Sequence, residues 1–154
     1  MASKEHDRLV NLGARWLKRN GFPVIATELK CHGSREQPDV IGFRSSCSAI
    51  IEVKVSKQDF YADAQKPERT TGGLGIYRLY LCPAGLIDTR HIPERWWLLE
   101  ATGNSVSAVI GPQGNYWPSL DAPVELLGAW ADFQHVPDEK AERSALFSIA
   151  RRLS

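Results

Sequence analysis

The stretch that decides the fold of this chain is Ala49-Ile50-Ile51-Glu52-Val53-Lys54-Val55. Its β-branched apolar residues are typical of a buried strand. Side chains alternate between the two faces of a strand, so Ile51, Val53 and Val55 share one face while Glu52 and Lys54 project from the other. Burying a carboxylate and an ammonium is costly unless they have partners. We therefore expect the Glu52 face of this strand to carry a functional site.

A second carboxylate precedes this strand. Asp39, next to Pro38, lies thirteen residues before Glu52 and begins a short apolar segment. A short loop should return that segment antiparallel to the Glu52 strand, which brings both carboxylates within reach of one cation. Mg²⁺ prefers oxygen ligands and keeps several waters, so two carboxylates and the backbone carbonyl of Val53 suffice for a Mg²⁺ (or Mn²⁺) site. Lys54 would orient or deprotonate the attacking water, or neutralise charge on the attacked phosphate.

Each of these residues also has a simpler interpretation. Glu52 and Lys54 could be a solvent-exposed pair on a half-covered sheet, and Asp39 could be a turn residue after Pro38. Glu28, near the end of the preceding strand, could be a further metal ligand or only an exposed strand end. The residue patterns leave these alternatives open.

The hydrophobic periodicity predicts an α/β fold, with a mixed central β-sheet flanked by helices. The predicted order is a helix (4–19), three strands (22–29, 38–43 and 48–55), a helix (56–65) and a strand (76–82). The helix between the third and fourth strands makes that pair parallel, whereas short loops make the first three strands antiparallel.

A C-terminal extension follows this predicted core of about residues 4–83. It covers about residues 84–154, with short strands at 96–100 and 107–110 and a loop rich in Gly and Pro over 111–123. A terminal helix at 138–153 carries four apolar residues at helical spacing: Leu146, Ile149, Ala150 and Leu153. We expect residues 1–154 to form a single domain.

Composition excludes several classes of protein. The 154 residues are 43% apolar and 24% charged, without an apolar run long enough to span a membrane. The first residues lack the apolar core of a signal peptide, and three scattered cysteines indicate neither a disulfide framework nor a zinc site. A cytoplasmic location is the expectation.

Charge is unevenly divided along the chain, although the net charge is only +1. Residues 1–95 hold fifteen Lys and Arg against eleven Asp and Glu, whereas residues 96–154 hold four against seven. This division is compatible with a nucleic-acid footprint on the first part of the chain, and equally with an uneven solvated surface.

Basic residues in and after the second helix could contact phosphates: Lys57, Lys66 and Arg69. The alternative for Lys66 is a weak surface pair with Asp63, one helical turn away. The four histidines have no mutual spacing that indicates a site, and only His32, on the loop before Asp39, is close to the motif in sequence. The five tryptophans are expected in the core.

Pro38-Asp39 followed by Glu52-x-Lys54 resembles the signature of the PD-(D/E)xK nuclease superfamily. The predicted element order likewise resembles its restriction-endonuclease-like core, α-β-β-β-α-β. Residues 52–63 are also similar to the pattern E-x-K-x-S-x-x-D-F-x-x-D of MmcB-like DNA-repair endonucleases, within a resemblance over about residues 23–83.

This resemblance implies a magnesium-dependent hydrolase that cuts DNA. Asp39 and Glu52 would bind the metal, and Lys54 would be the catalytic lysine. DNA repair or mobile-element biology would be its setting, with RNA as a substrate and a homodimer left open.

A function of a different class is compatible with the same sequence. A nuclease fold can serve as a non-catalytic module that binds nucleic acid or protein, as a phage-type inhibitor would. The near-zero net charge favours this alternative. The complete set of Asp39, Glu52 and Lys54 favours the enzyme.

Overall fold

The computed structural model describes residues 3–29, 37–66 and 72–153. Within them, one sheet contains six strands in chain order: β1 (Val24–Thr27), β2 (Val40–Phe43), β3 (Ser48–Val53), β4 (Tyr77–Pro83), β5 (Trp96–Thr102) and β6 (Ser105–Ile110). The α-helices are α1 (Lys4–Arg19), α2 (Lys57–Ala64), α3 (Val124–Leu127) and α4 (Glu139–Arg152), and 3₁₀ helices cover Thr89–His91 and Gly128–Phe133.

The sheet is mixed, which confirms the predicted fold class. Strands β1, β2 and β3 are mutually antiparallel, and β3 and β4 are parallel across the α2 connection. Strand β5 continues parallel to β4, and β6 returns antiparallel. The parallel strands β3, β4 and β5 therefore end at the same edge of the sheet.

Helix α1 covers one face of the sheet. The Ser3 side chain accepts a hydrogen bond from the His6 N–H at its start, and Gly21, with φ +87°, follows its end. Gly13 lets this helix approach closely, since a Cβ there would lie 3.3 Å from side-chain atoms of Ile51 and Leu81. The apolar stripe of α1 joins a core that includes four of the tryptophans: Trp16, Trp97, Trp117 and Trp130.

Helices α2 and α4 pack on the opposite face, where they meet Tyr80 and Trp96 of the sheet. The terminal helix is confirmed, but its predicted apolar stripe is only partly buried. Ile149 is buried, whereas Leu146 is 42% and Leu153 85% exposed. The helix packs on the sheet with one buried residue per turn, Ala141, Ala145 and Ile149, while Phe147 on another face is 62% exposed.

Several element boundaries differ from the sequence prediction. Strands β1, β2 and β3 are shorter than predicted, and α3 with the following 3₁₀ helix was not predicted. These short helices carry few buried residues, so they lack a long amphipathic pattern. Among the described residues, no helix is both long and apolar enough to cross a membrane.

Candidate active site

Three carboxyl-bearing residues lie at neighbouring strand ends: Glu28 follows β1, Asp39 precedes β2, and Glu52 is the next-to-last residue of β3. The β2–β3 register pairs Val40 with Ile51, so Asp39 and Glu52 occupy the next facing positions. Glu28 directly follows β1, and its backbone N–H donates to the carbonyl oxygen of Asp39 at 3.0 Å. The fold thus places the backbones of Glu28, Asp39 and Glu52 side by side, although Glu28 and Glu52 are 24 positions apart in the sequence. The Glu28 carboxylate itself lies with His6 and Asp7 rather than with the other two carboxylates.

The Asp39 carboxylate bridges strand β3 and helix α1. Its Oδ2 accepts a hydrogen bond from the backbone N–H of Val53 at 2.8 Å. Its Oδ1 lies 3.4 Å from Nε2 of His6, and the side chain is 17% exposed. These two contacts fix the side chain next to the backbone segment that carries Glu52 and Lys54.

Glu52 and Lys54 lie on the α2 side of β3, as the alternation predicts. Ile51 and Val53 belong to the core under α1, and Val55 packs partly buried against it. Glu52 is only 6% exposed, and the side chain of Lys54 is 17% exposed. The two side chains therefore differ from a fully solvated strand pair.

Lys54 forms an ion pair that the sequence analysis did not identify. Its Nζ lies 3.4 Å from Oδ1 of Asp63 on α2, and the Asp63 side chain is 2% exposed. Lys66 reaches the same Oδ1 at 3.4 Å. The hydroxyl of Tyr80, on β4, donates to Oδ2 at 2.6 Å.

The predicted Asp63–Lys66 pair is present, but its placement on the surface was wrong because Asp63 is buried. One signal could have corrected this prediction. Asp63 lies three residues after Phe60, which the helical pattern places in the core, and residues with that spacing share a helix face.

His6 is a second residue that the sequence analysis missed. Ligand atoms of His6, Asp7 and Glu28 all lie within 4.8 Å of one another. The Nδ1 atom of His6 is buried without a hydrogen-bond partner in the described chain. No sequence spacing connects the first turn of α1 with Asp39, so only the tertiary fold reveals this contact.

The predicted phosphate-binding residues lie around α2. Lys57 is exposed at the first position of the helix, and Lys66, 56% exposed, follows its end. Arg69 lies outside the described residues, and so does His32. The described lysines thus mark both ends of a helix about 12 Å long.

Burial changes the acid–base properties of groups away from these carboxylates. It raises the pKa of the Cys47 thiol to about 11 and that of Cys82 to about 12. Since a reactive cysteine requires a thiolate, these two thiols are inert at neutral pH.

Comparison with known proteins identifies a shared fold but no family. The chain matches no protein-family model and no curated protein. It is similar to the solved structure of SPO1766, a protein of unknown function from Silicibacter pomeroyi, with 23% sequence identity and a TM-score of 0.62. That similarity covers 99% of this chain and 91% of the other, and at this identity it establishes the fold alone.

Proposed function

We propose that the protein is a divalent-metal-dependent nuclease of the PD-(D/E)xK type that hydrolyses DNA phosphodiester bonds. The observation that carries this proposal is the adjacency of Asp39, just before β2, and Glu52 on β3, with Lys54 directly after the last residue of β3. Partly buried carboxylates with a neighbouring ammonium form a costly arrangement in a protein that only needs to fold. The same arrangement suits the chemistry of a negatively charged phosphate.

The donor atoms at this site suit a hard divalent cation. Asp39, Glu52, the carbonyl of Val53 and Glu28 would hold Mg²⁺ or Mn²⁺. His6, whose Nδ1 lacks a hydrogen-bond partner in the described chain, lies against Asp39. When bound, the cation would stabilise negative charge on the attacked phosphate and make a nearby water more acidic.

The basic residues would bind and orient the nucleic acid. The Lys54 ammonium would stabilise the charge that develops on the scissile phosphate. Lys57 and Lys66, at the two ends of α2, would contact neighbouring phosphates of the backbone, which fix the register of the strand without reading its sequence. Arg69 would extend this contact beyond the described residues.

The decisive experiment is cleavage of supercoiled plasmid, labelled single-stranded DNA and labelled RNA with Mg²⁺ or Mn²⁺. The native protein is compared with Lys54→Ala and with Lys18→Ala, a control that removes an exposed lysine from α1. We expect metal-dependent cutting of DNA whose rate falls by roughly 10²- to 10³-fold in Lys54→Ala. Removal of one positioned group that stabilises the developing charge lowers kcat by about that factor. Lys18→Ala should cut at the native rate.

Metal binding gives a second readout, independent of cleavage. Calorimetric titration with Mn²⁺ should show binding to the native protein and a loss of at least about tenfold in affinity in Asp39→Asn. A folded native protein that cuts none of the substrates with either metal would contradict the proposal and favour the non-catalytic binding module. Cutting that survives in Lys54→Ala would mean that Lys54 does not carry the chemistry.

A further inference from the structure

We infer that Asp63 is a positioning residue that holds the ammonium groups of Lys54 and Lys66 together at the proposed active site. The inference rests on the proposed nuclease function and assigns the site a residue outside the Asp39–Glu52–Lys54 motif. Both ammonium nitrogens lie 3.4 Å from the same oxygen, Oδ1 of Asp63. The two nitrogens are therefore no more than 6.8 Å apart, twice that distance.

Two ammonium groups this close repel each other unless an anion lies between them. Two like charges at this separation repel, and solvent screens that repulsion only in part because the Lys54 side chain is 17% exposed. The Asp63 carboxylate offsets that repulsion because it is in contact with both lysines. The lysines consequently stay close together while the substrate is absent, and they present two positive charges to a strand that carries negative phosphates.

The Asp63 carboxylate is itself held in place. Its side chain is 2% exposed, and its Oδ2 accepts the hydrogen bond from the Tyr80 hydroxyl. The Tyr80 ring stacks on Trp96 with centroids 4.4 Å apart and meets the edge of Phe60 at 4.8 Å. A carboxylate anchored in this way determines where both ammonium groups lie, rather than following them.

The two lysines should contribute to different kinetic constants. Lys54 directly follows Val53, the last residue of β3, and lies two residues after Glu52. A change at Lys54 should therefore affect the reacting phosphate and lower kcat. The side chain of Lys66 is 56% exposed, so it can contact a neighbouring phosphate of the substrate. Its loss should therefore weaken substrate binding and raise KM. Asp63 acts through both lysines, so its neutralisation should change both constants.

The test compares steady-state cleavage of a labelled DNA oligonucleotide by the native protein and five variants. Asp63→Asn removes the charge at nearly constant shape, and Asp59→Asn is the matched control, an exposed carboxylate on the same helix. The other variants are Lys66→Ala and the double variant Lys54→Ala/Asp63→Asn, measured beside Lys54→Ala.

We expect Asp63→Asn to lower kcat by about 10- to 100-fold, the usual cost of a misplaced catalytic group, and to raise KM. Lys66→Ala should raise KM several-fold with kcat within about twofold, since a phosphate contact contributes binding rather than chemistry. The kcat of the double variant should equal that of Lys54→Ala, because Asp63 affects kcat through that lysine. An Asp63→Asn enzyme with native kcat and KM, or fully additive losses of kcat in the double variant, would overturn the inference.

A measurement that needs no cleavage separates this inference from the proposed function. A limiting amount of succinimidyl acetate is used to acetylate the lysines, and peptide mass spectrometry gives the acetylation rate at each lysine. Lys57, which is exposed, is the internal reference. In Asp63→Asn, Lys54 and Lys66 should react about threefold faster than in Asp59→Asn, because the ion pairs that restrain them are gone. Unchanged rates would overturn the inference. Changed rates in a protein that cuts no DNA would uphold the restraint and refute the nuclease.

Discussion

Acidification should destabilise the fold through His135, a buried residue outside the proposed active site. Its side chain is 8% exposed, and its Nε2 lies 2.8 Å from the carbonyl oxygen of Arg95, to which the neutral ring donates. Burial is the main cause that lowers the pKa of His135 from its ordinary 6.5 to about 4, with a further contribution from the charge of Arg78. The folded protein therefore keeps this ring neutral at pH values where the unfolded chain protonates it.

The sign and the size of the effect follow from proton linkage. Between about pH 6.5 and 4 the unfolded state binds more protons than the folded state, so stability falls as the pH falls. From about pH 7 to about pH 5, the pKa of about 4 in the folded state corresponds to a loss on the order of 2 kcal/mol. That loss is a substantial fraction of the 5–15 kcal/mol typical of a domain.

The assay is urea unfolding followed by tryptophan fluorescence at both pH values. In His135→Gln the side-chain amide can still donate to the Arg95 carbonyl but does not titrate, so this variant should lose about 2 kcal/mol less than the native protein on acidification. His91→Gln, at an exposed histidine, is the control and should behave as the native protein does. Equal losses in His135→Gln and the native protein would refute the reasoning, because other titrating groups are common to both.

Three further predictions concern stability. Gly111→Ala should cost at least about 2 kcal/mol by calorimetry, more than Gly103→Ala, because its Cβ would lie 2.2 Å from the buried Trp97 ring whereas Gly103 faces open space. Burial raises the pKa of the Glu142 carboxyl, so ionisation of this group destabilises the folded protein. The stability of Glu142→Gln relative to the native protein should therefore increase as the pH rises above 4.5. A difference in urea midpoint between the two proteins that stays constant with pH would contradict this. Ser56→Ala removes the N-cap of α2 and should lower the free energy of unfolding by about 1 kcal/mol in urea; an unchanged value would contradict this.

Local pattern was sufficient for most of the fold. The apolar stripe and the Asn20-Gly21 stop predicted α1 with the bounds that the structure has, and the helical connection between β3 and β4 predicted their parallel pairing. The region after β4 was harder to predict because its elements depend on packing. Ala141 and Ala145 bury α4 although neither is strongly apolar, since small side chains permit close contact with the sheet.

The same holds for the candidate site: the strand pattern predicted some of its residues, and the packing of the helices supplied the others. Alternation along the predicted strand at 48–55 was enough to put Glu52 and Lys54 on one face, because extended backbone fixes that relation locally. Their partners come from other elements. Asp63 is brought to Lys54 by the docking of α2, and His6 is brought to Asp39 by the docking of α1. A motif in sequence therefore identifies the charged residues that need partners, whereas the partners themselves depend on how the helices pack against the sheet.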